Sequence, residues 1–462
     1  MGNGVYLSRS QSSSEDATAR KKFTISGWYK LGINGDAGGW KGFWSAATDG
    51  SNYSSLKQNA TGEIVFEQKS SGTGVTWTSS GIYKDYNSWY HIMVAYDSTQ
   101  ASNEDRVKVY INGEQPSGTY GSFTQDQEGF WGNSASTAGV GRYNNNTGNS
   151  YMYTGYATNI VGTIGYALAP TVFGQTDSTT GEWKPRSAPS GITYSANGFY
   201  LKFENSGAMG TDSSGNGNTF TVNGAGSGYG EIVQATDAPD NNFSTLNSLA
   251  NQDEAGGTFS KGNLQFVTQQ ADYSYRPSSI GVSAGKWYCE VKAESFTAGT
   301  DPFMIGITST QPTSNTDELG HYANDWAYRE DGSYRNNNNN TTWGSTFAAG
   351  DIIGIALDIT NSKLYFSKNG TWQESGDPTS GASGTGAISI TAVGSTPLEN
   401  YFFAIGDYDN SSGSTSTFQA NFGNPPFTIS SGNADANGFG NFEYAVPSGY
   451  YALCSENLNT YG

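Results

Sequence analysis

Paired carboxylates are the first arrangement to look for in this chain, because hydrolysis of a glycosidic bond needs two of them flanking the scissile bond. Acidic residues stand side by side at Glu15-Asp16, Glu104-Asp105 and Glu330-Asp331. Neighbouring residues on a strand point to opposite faces, so none of these pairs forms a two-carboxylate site. All three lie in turn-like surroundings, and we predict that they are solvated turn acids.

The two histidines of the chain also give little indication of a catalytic site. A Ser-His-Asp system would have to use His91, which lies in a strand-like run, or His321, which lies beside Tyr322 in a loop. The sequence also lacks Cys-x-x-Cys and His-x-x-x-His zinc spacings, a P-loop and a dinucleotide fingerprint. We therefore predict that the chain is not an enzyme.

The elements that must position these side chains are strands. The 462 residues include 62 Gly, 30 Tyr, 23 Phe and 11 Trp but only 14% charged residues, a composition that favours many short strands joined by tight turns. Runs such as 23–31, 89–97, 286–291 and 351–358 are apolar and strand-like, whereas helical periodicity is almost absent. Asn112-Gly113 and Asn369-Gly370 each follow a strand pattern, and both residues of such a turn need a positive φ. Residues 169–174 could form one short helical turn.

The order of these patterns predicts an all-β chain of two tandem antiparallel β-sandwiches. We place the first sandwich at 1–233, a polar linker at 234–261, the second sandwich at 262–430, and a C-terminal extension that packs on it at 431–462. Cys289 lies inside a strand pattern and predicts a small buried residue. The sequence does not decide whether Cys289 and Cys454 form a disulfide, because one pair of cysteines does not make a disulfide framework.

Charge narrows the range of partners. A net charge of −18 weighs against nucleic acid and against anionic membrane surfaces. Residues 1–14 are polar, without the apolar stretch of a signal peptide, and no run approaches 18 apolar residues, so we expect neither a signal peptide nor membrane insertion. The sequence is compatible with a homo-oligomer but does not determine the oligomeric state.

The first half resembles the laminin-G-like, concanavalin A-like jelly roll over residues 1–225. The resemblance is carried by four motifs in the family's order: Phe23-Thr24-Ile25-Ser26-Gly27-Trp28-Tyr29, Trp89-Tyr90-His91-Ile92-Met93-Val94, Val109-Tyr110-Ile111-Asn112-Gly113 and Asp212-Ser213-Ser214-Gly215-Asn216-Gly217-Asn218. It implies a sandwich whose rim loops can hold ligands.

The second half resembles a SPRY domain over residues 262–430. The matching motifs again follow the family's order: Gly285-Lys286-Trp287-Tyr288-Cys289-Glu290-Val291, Ile305-Gly306-Ile307, Gly350-Asp351-Ile352-Ile353-Gly354, Leu364-Tyr365-Phe366-Ser367-Lys368-Asn369-Gly370-Thr371-Trp372 and Asn421-Phe422-Gly423. The pairing of the two halves resembles structural proteins of marine tailed phages. That resemblance implies a place on the virion surface, as fibre, tail or capsid exterior.

Candidate ligand residues follow from these two families. Some laminin-G-like and lectin sandwiches hold Ca²⁺, for which Asp49 with Asn52 and Asp212 with Asn216 are the candidates, although such residues also form turns without an ion. Aromatic side chains near loops can stack on sugar rings or pack against protein partners, and an arginine can bond hydroxyl groups. The candidates are Trp40, Trp44, Trp77, Tyr143, Tyr322, Tyr328, Arg335 and Trp343. Trp326 and Tyr334 fall where the SPRY family places core aromatics.

Three hypotheses of function remain from the sequence. The first is a non-enzymatic virion-surface protein whose rim loops bind a host receptor, cell-surface polysaccharide or lipopolysaccharide. The second is a capsid decoration or structural protein that binds only other virion proteins. The third, a glycan-degrading enzyme, lacks its carboxylate pair.

Overall fold

The chain forms two compact units, residues Met1–Gln234 and Ala235–Gly462. The computed structural model describes residues 5–11, 13–33, 39–143, 151–187, 189–224, 232–250, 256–269, 273–297, 302–311, 317–408 and 415–462. Within these ranges no helix has the length and apolarity needed to cross a membrane.

Where the structure describes the first unit, its regular elements are strands and two short 3-10 turns, Ala19–Lys21 and Pro170–Val172. The second of these turns lies where the sequence predicts a short helical turn. Its strands are β1 Tyr6–Ser10, β2 Lys22–Leu31, β3 Lys41–Asp49, β4 Asn52–Gln58, β5 Ile64–Ser70, β6 Thr73–Ser79, β7 Trp89–Asp97, β8 Val107–Ile111, β9 Gly118–Tyr120, β10 Thr137–Val140, β11 Gly155–Ile164, β12 Gly174–Thr176, β13 Trp183–Pro185, β14 Phe199–Leu201 and β15 Thr221–Asn223.

Two sheets enclose the core of this unit. One has eight strands in the order β15-β1-β10-β3-β4-β5-β6-β9, the other has five in the order β14-β11-β2-β7-β8, and β12 and β13 form a separate hairpin. Phe23, Trp44, Phe66 and Trp131 are buried in the core, where the Phe23 ring lies 5.8 Å from Trp44 and 6.0 Å from Trp131. Aromatic side chains therefore make up a large part of the core of this sandwich.

In the described residues of the second unit there are fifteen strands, one terminal helix and three 3-10 turns, Gln373–Ser375, Pro378–Ser383 and Val393–Ser395. The helix is α1 Ser455–Tyr461. The strands are β16 Gly257–Ser260, β17 Gln265–Thr268, β18 Tyr273–Pro277, β19 Lys286–Ser295, β20 Met304–Thr308, β21 Asp325–Arg329, β22 Ser333–Asn336, β23 Asn339–Thr342, β24 Ile352–Asp358, β25 Lys363–Lys368, β26 Thr371–Trp372, β27 Ile388–Ser389, β28 Phe402–Tyr408, β29 Thr417–Asn421 and β30 Tyr451–Ala452.

These strands also form two sheets. A nine-stranded sheet runs β16-β17-β29-β19-β24-β25-β26, with β27 paired to β25 and β30 paired to β19, and a six-stranded sheet runs β18-β28-β20-β21-β22-β23. All pairings are antiparallel except that of β30 with β19. The prediction of an all-β chain with tandem antiparallel sandwiches is confirmed, and both Asn-Gly turns have positive φ, 49° and 82° at Asn112-Gly113 and 48° and 77° at Asn369-Gly370.

The predicted linker needs correction over part of its length. Phe243 and Leu246 are buried in the second unit, and the Ser244 amide donates to the Leu453 carbonyl at 3.0 Å. Strand β16, which lies within the predicted linker, forms the edge of the nine-stranded sheet. Two buried apolar side chains among many polar ones were too weak a signal for a packed segment.

The C-terminal residues cover the outer face of the nine-stranded sheet. Tyr288 and Tyr365 project from that face and pack with Phe442, Tyr450 and Cys454. Because side chains alternate along a strand, Cys289 points to the other face of β19 from its neighbour Tyr288. The two cysteines are therefore on opposite sides of one strand, which explains why both are buried free thiols.

Candidate functional site

An open groove of about 570 Å³ lies on one side of the second sandwich. Its aromatic members are Trp326, Tyr334 and Trp343, and its other side is formed by residues 387–391. We call it the aromatic groove. Its volume is in the range of small-molecule and peptide sites.

The pleat of two paired strands brings these aromatics together. Trp326 on β21 and Tyr334 on β22 lie on the same face of the six-stranded sheet, because Tyr328, two residues from Trp326, pairs directly with Tyr334. Trp343 follows β23, and its ring lies 6.3 Å from Tyr334 and 5.6 Å from Tyr328. Trp326 is 5% exposed, whereas Tyr334 and Trp343 are half-buried.

The opposite wall is a short edge segment. Ile388 and Ile390 are buried and Ser389 is exposed between them, which is the alternation expected of a strand. The Ile390 amide donates to the Ser362 carbonyl at 3.1 Å, and the Ser389 hydroxyl accepts a hydrogen bond from Lys363 Nζ at 2.9 Å. The groove thus combines half-buried aromatic faces with an exposed polar strand edge, a combination that suits an extended peptide.

The structure places the four predicted residues of this region in different environments. Trp343 lies in the aromatic groove as a surface residue. Tyr328 is fully buried and donates its hydroxyl to the Ser345 carbonyl, so its prediction as a binding residue is wrong: it is a core aromatic. Tyr322 donates to Asp317, and Arg335 pairs with Glu318 on the other face of the sheet from Tyr334.

Two predicted tryptophans of the first unit are also core residues. Trp44 on β3 and Trp77 on β6 have no exposed surface. Both point between the sheets, because Trp44 pairs with Leu56, Leu56 with Phe66, and Phe66 with Trp77, and paired residues share a face. Neither tryptophan can contact a ligand at the rim.

Trp40 and Tyr143 do come together, but around a side chain of the protein itself. Lys57 Nζ lies 4.8 Å from the Trp40 ring centroid and 3.9 Å from that of Tyr143, and it forms an ion pair with Glu67. Burial lowers the pKa of Lys57, while Glu67 opposes that shift. The aromatic faces that the sequence suggested for a sugar thus enclose a buried ammonium group.

The calcium candidates engage their oxygen atoms in turns. Asp49 accepts from the Ser51 amide at 2.7 Å and from Asn52 Nδ2 at 3.1 Å with both oxygens. Asp212 accepts from the amides of Tyr200, Ser214 and Asn218 at 2.7–2.9 Å, and Asn216 donates its amide group to the Ser195 carbonyl. Among the described residues, no three His, Cys, Asp or Glu side chains cluster as metal ligands. These residues fit turns better than a calcium ion, which stays an untested prediction.

His91 lies beside a serine, as in a catalytic dyad, but its ring donates a hydrogen bond to the serine hydroxyl where a catalytic base would accept one. Its Nε2 lies 2.8 Å from Ser26 Oγ, and Trp183 Nε1 donates to its Nδ1 at 3.2 Å. Since Nδ1 accepts, the proton of the neutral ring is on Nε2, and the ring donates to Ser26 instead of receiving its proton. Burial lowers the pKa of His91 to about 3, and both residues lie inside the unit.

Part of the aromatic groove has no counterpart among the residues predicted from the sequence. Ile388, Ser389 and Ile390 belong to none of the predicted motifs. The SPRY resemblance implies that Trp326 and Tyr334 are core aromatics, which is confirmed for Trp326, whereas Tyr334 is half-buried and lines the groove. The alternation of apolar and polar residues at 388–390 is a strand signal in the sequence, although three residues are too few to distinguish a strand from a loop.

Comparison with known proteins agrees with the two-unit architecture. Residues 286–394 match the SPRY domain family model, and residues 3–157 match the model of the concanavalin A-like lectin/glucanases superfamily. A Ran-binding proteins 9/10 homolog of Drosophila melanogaster is 31% identical over 98 residues, which cover 20% of this chain and 10% of that protein. The chain thus spans about a tenth of the length of the curated relative it matches.

Solved structures give matches of low identity. The SPRY domain of human HERC1 is 17% identical and covers 37% of this chain and 95% of its own, at a TM-score of 0.29. A human SPRY domain is 17% identical and covers 36% and 93%, at a TM-score of 0.26. A heptameric SAP-like pentraxin of Limulus polyphemus is 14% identical and covers 36% and 72%, at a TM-score of 0.27.

The two family-model matches fall one in each unit, the concanavalin A-like match in the first and the SPRY match in the second. Both domain types favour a role in binding, and the SPRY domain favours interaction with other proteins.

Proposed function

We propose that this chain is a non-catalytic binding protein on the exterior of a bacteriophage particle, and that its SPRY unit binds a protein partner through the aromatic groove. The observation that carries the proposal is the groove itself, where Tyr334 and Trp343 stay partly exposed beside the strand edge at Ser389. Tryptophan and tyrosine in such a pocket are the residue types that most often dominate the free energy of protein association.

The virion setting is supported by the pairing of domains. A laminin-G-like half followed by a SPRY half resembles structural proteins of tailed phages, and a net charge of −18 suits a soluble surface protein better than one that binds nucleic acid. The partner of the groove is then another virion protein or a protein of the host surface. Host polysaccharide and lipopolysaccharide are the alternative ligands at the same location.

The groove can be tested by blocking it. We would measure binding of the purified full chain to intact phage particles, to their separated structural proteins and to host outer-membrane proteins. Ser389→Glu places a charged side chain at the groove wall while Lys363 keeps an acceptor, and Trp343→Ala removes an aromatic face. Each variant is expected to weaken binding about 30-fold, the loss typical of an interface hot spot.

Tyr166→Ala is the matched control, because Tyr166 is an exposed aromatic of the first unit at 43% exposure. It should bind like the unchanged protein. Trp343→Ala also removes packing on Tyr328, so Ser389→Glu decides the outcome if Trp343→Ala unfolds. Undiminished binding by a folded Ser389→Glu variant would refute the role of the groove.

A further inference from the structure

A second recess, of about 410 Å³, lies on the outer face of the six-stranded sheet. Its floor is Met304 on β20, which packs there with Tyr275, Leu319, Ala327 and Ala404. We call it the outer recess. Because side chains alternate along a strand, Tyr334 faces the aromatic groove whereas its neighbour Arg335 faces the outer recess, so one strand contributes to two separate sites.

The charges of the outer recess compensate one another. Arg335 pairs with Glu318 and donates to Asn340 Oδ1 at 2.9 Å, and Arg329 lies 3.4 Å from Asp331. His321 faces two carboxylates, with Nε2 3.8 Å from Asp317 and Nδ1 3.7 Å from Glu318. Each of the two arginines is therefore paired with an acid, so neither presents an unpaired guanidinium group to an anionic ligand.

The remaining lining groups suit a ligand rich in hydroxyl groups. Planar guanidinium, amide and carboxylate groups can each bond two neighbouring hydroxyls, and Arg335, Asn340 and Glu318 place all three kinds within one hydrogen-bonded cluster. On the opposite side, the rings of Tyr273 and Tyr408 lie 4.6 Å apart in an edge-to-face arrangement. Such rings pack against the C–H faces of a sugar, and no catalytic group is needed for this binding.

We propose that the outer recess binds a neutral saccharide unit. The saccharide lies on the Tyr273 and Tyr408 rings, with its hydroxyls bonded to Arg335, Asn340 and Glu318. This site is separate from the aromatic groove, so the inference goes beyond the proposed function and does not depend on the partner of the groove.

The experiment uses the full chain and a panel of neutral trisaccharides with glucose, galactose and mannose units, with polygalacturonate as an acidic comparator. Saturation-transfer NMR reports binding, and titration gives the Kd. At least one neutral trisaccharide is expected to bind. Asn340→Ala is expected to raise its Kd about tenfold, since it removes one hydrogen-bonding group from the recess.

Asn339→Ala is the matched control: Asn339 is the preceding residue on β23 and points to the opposite face. It should leave the Kd unchanged. Asn340→Trp, which fills the recess from an exposed position, should abolish binding without affecting the core. The proposal is overturned if no neutral trisaccharide binds, if only polygalacturonate binds, or if Asn340→Trp binds as well as Asn339→Ala.

The same variants distinguish binding at the aromatic groove from binding at the outer recess. Ser389→Glu should retain saccharide binding and lose the protein partner, whereas Asn340→Trp should do the reverse. Failure of one site therefore leaves the other independently testable.

Discussion

Asp325 is a buried acid at the start of the strand that carries Trp326 into the aromatic groove. It accepts from Thr308 Oγ1 at 2.8 Å and from the Tyr322 amide at 3.4 Å, yet burial outweighs these hydrogen bonds and raises its pKa to about 7. Asp325 therefore binds a proton more tightly in the folded protein than in the unfolded chain, where its pKa is near 3.8. The stability that this proton provides is complete below about pH 3.8 and is lost as the pH rises through about 7.

We expect the free energy of unfolding to fall between pH 5 and pH 8. About two of the roughly three pKa units of this shift fall between pH 5 and the folded pKa, which corresponds to at most about 3 kcal/mol over this window. Asp325→Asn, which cannot ionise, should flatten this dependence when urea unfolding is followed at both pH values.

Asp331→Asn serves as the control at the other end of the same hairpin. Burial acts to raise the pKa of Asp331, but the two hydrogen bonds from Ser333 and the nearby Arg329 together outweigh it and lower the pKa, so its titration lies below this pH window. A pH dependence that survives in Asp325→Asn but vanishes in Asp331→Asn would contradict the assignment.

At the scale of elements, Glu290 holds the C-terminal extension on the nine-stranded sheet. Its carboxylate projects from β19 and accepts from the amides of Glu443 and Tyr444 at 2.9 and 2.8 Å. It also accepts from the Tyr288 hydroxyl at 3.1 Å and from Asn421 Nδ2 at 3.3 Å. Four donors converge on one buried acid, so the extension depends on the acceptor capacity of this side chain.

Glu290→Gln should therefore destabilise the second unit. The new amide group is a donor facing donors, and a buried hydrogen-bonding group left unpaired costs about 1–3 kcal/mol. Urea unfolding measures this loss, and limited proteolysis should show faster cleavage within residues 431–462.

The comparison variant is Glu294→Gln on the same strand. Glu294 is half-exposed and pairs with Lys292, and such surface pairs contribute little. An equal loss of stability in both variants would show that the Glu290 carboxylate has no specific role in anchoring the C-terminal extension.

At the scale of the whole molecule, the proposal of a non-catalytic protein can be examined at a carboxylate of the first sandwich. On the eight-stranded sheet, Glu67 pairs with Lys57 and accepts from the Tyr143 hydroxyl at 3.3 Å. A glycosidase needs one carboxyl group as acid and a second as nucleophile or base. A carboxylate that is neutralised by a buried lysine is suited to neither role.

We accordingly expect the purified full chain to release no reducing ends from host polysaccharide, with or without Ca²⁺. A reducing-sugar assay over several hours is the measurement. Hydrolysis that Glu67→Gln abolishes would overturn the non-catalytic assignment and identify the acid responsible.

The sequence by itself determined the local structure of this protein. Alternating apolar residues, the Asn112-Gly113 and Asn369-Gly370 turns and the order of the motifs specify strands, hairpins and two tandem sandwiches, because each signal depends on residues close together in the chain. Such signals need no knowledge of which strand pairs with which.

Only the tertiary structure decided which face of each strand meets the opposing sheet. That pairing buries Trp44, Trp77 and Tyr328 but leaves Trp343 at the surface, and it brings Lys57 between Trp40 and Tyr143. It also places the outer recess behind the aromatic groove on a single sheet. These outcomes depend on contacts between residues far apart in the chain, and a one-residue change of register would reverse them, since it turns every side chain of a strand to the other face.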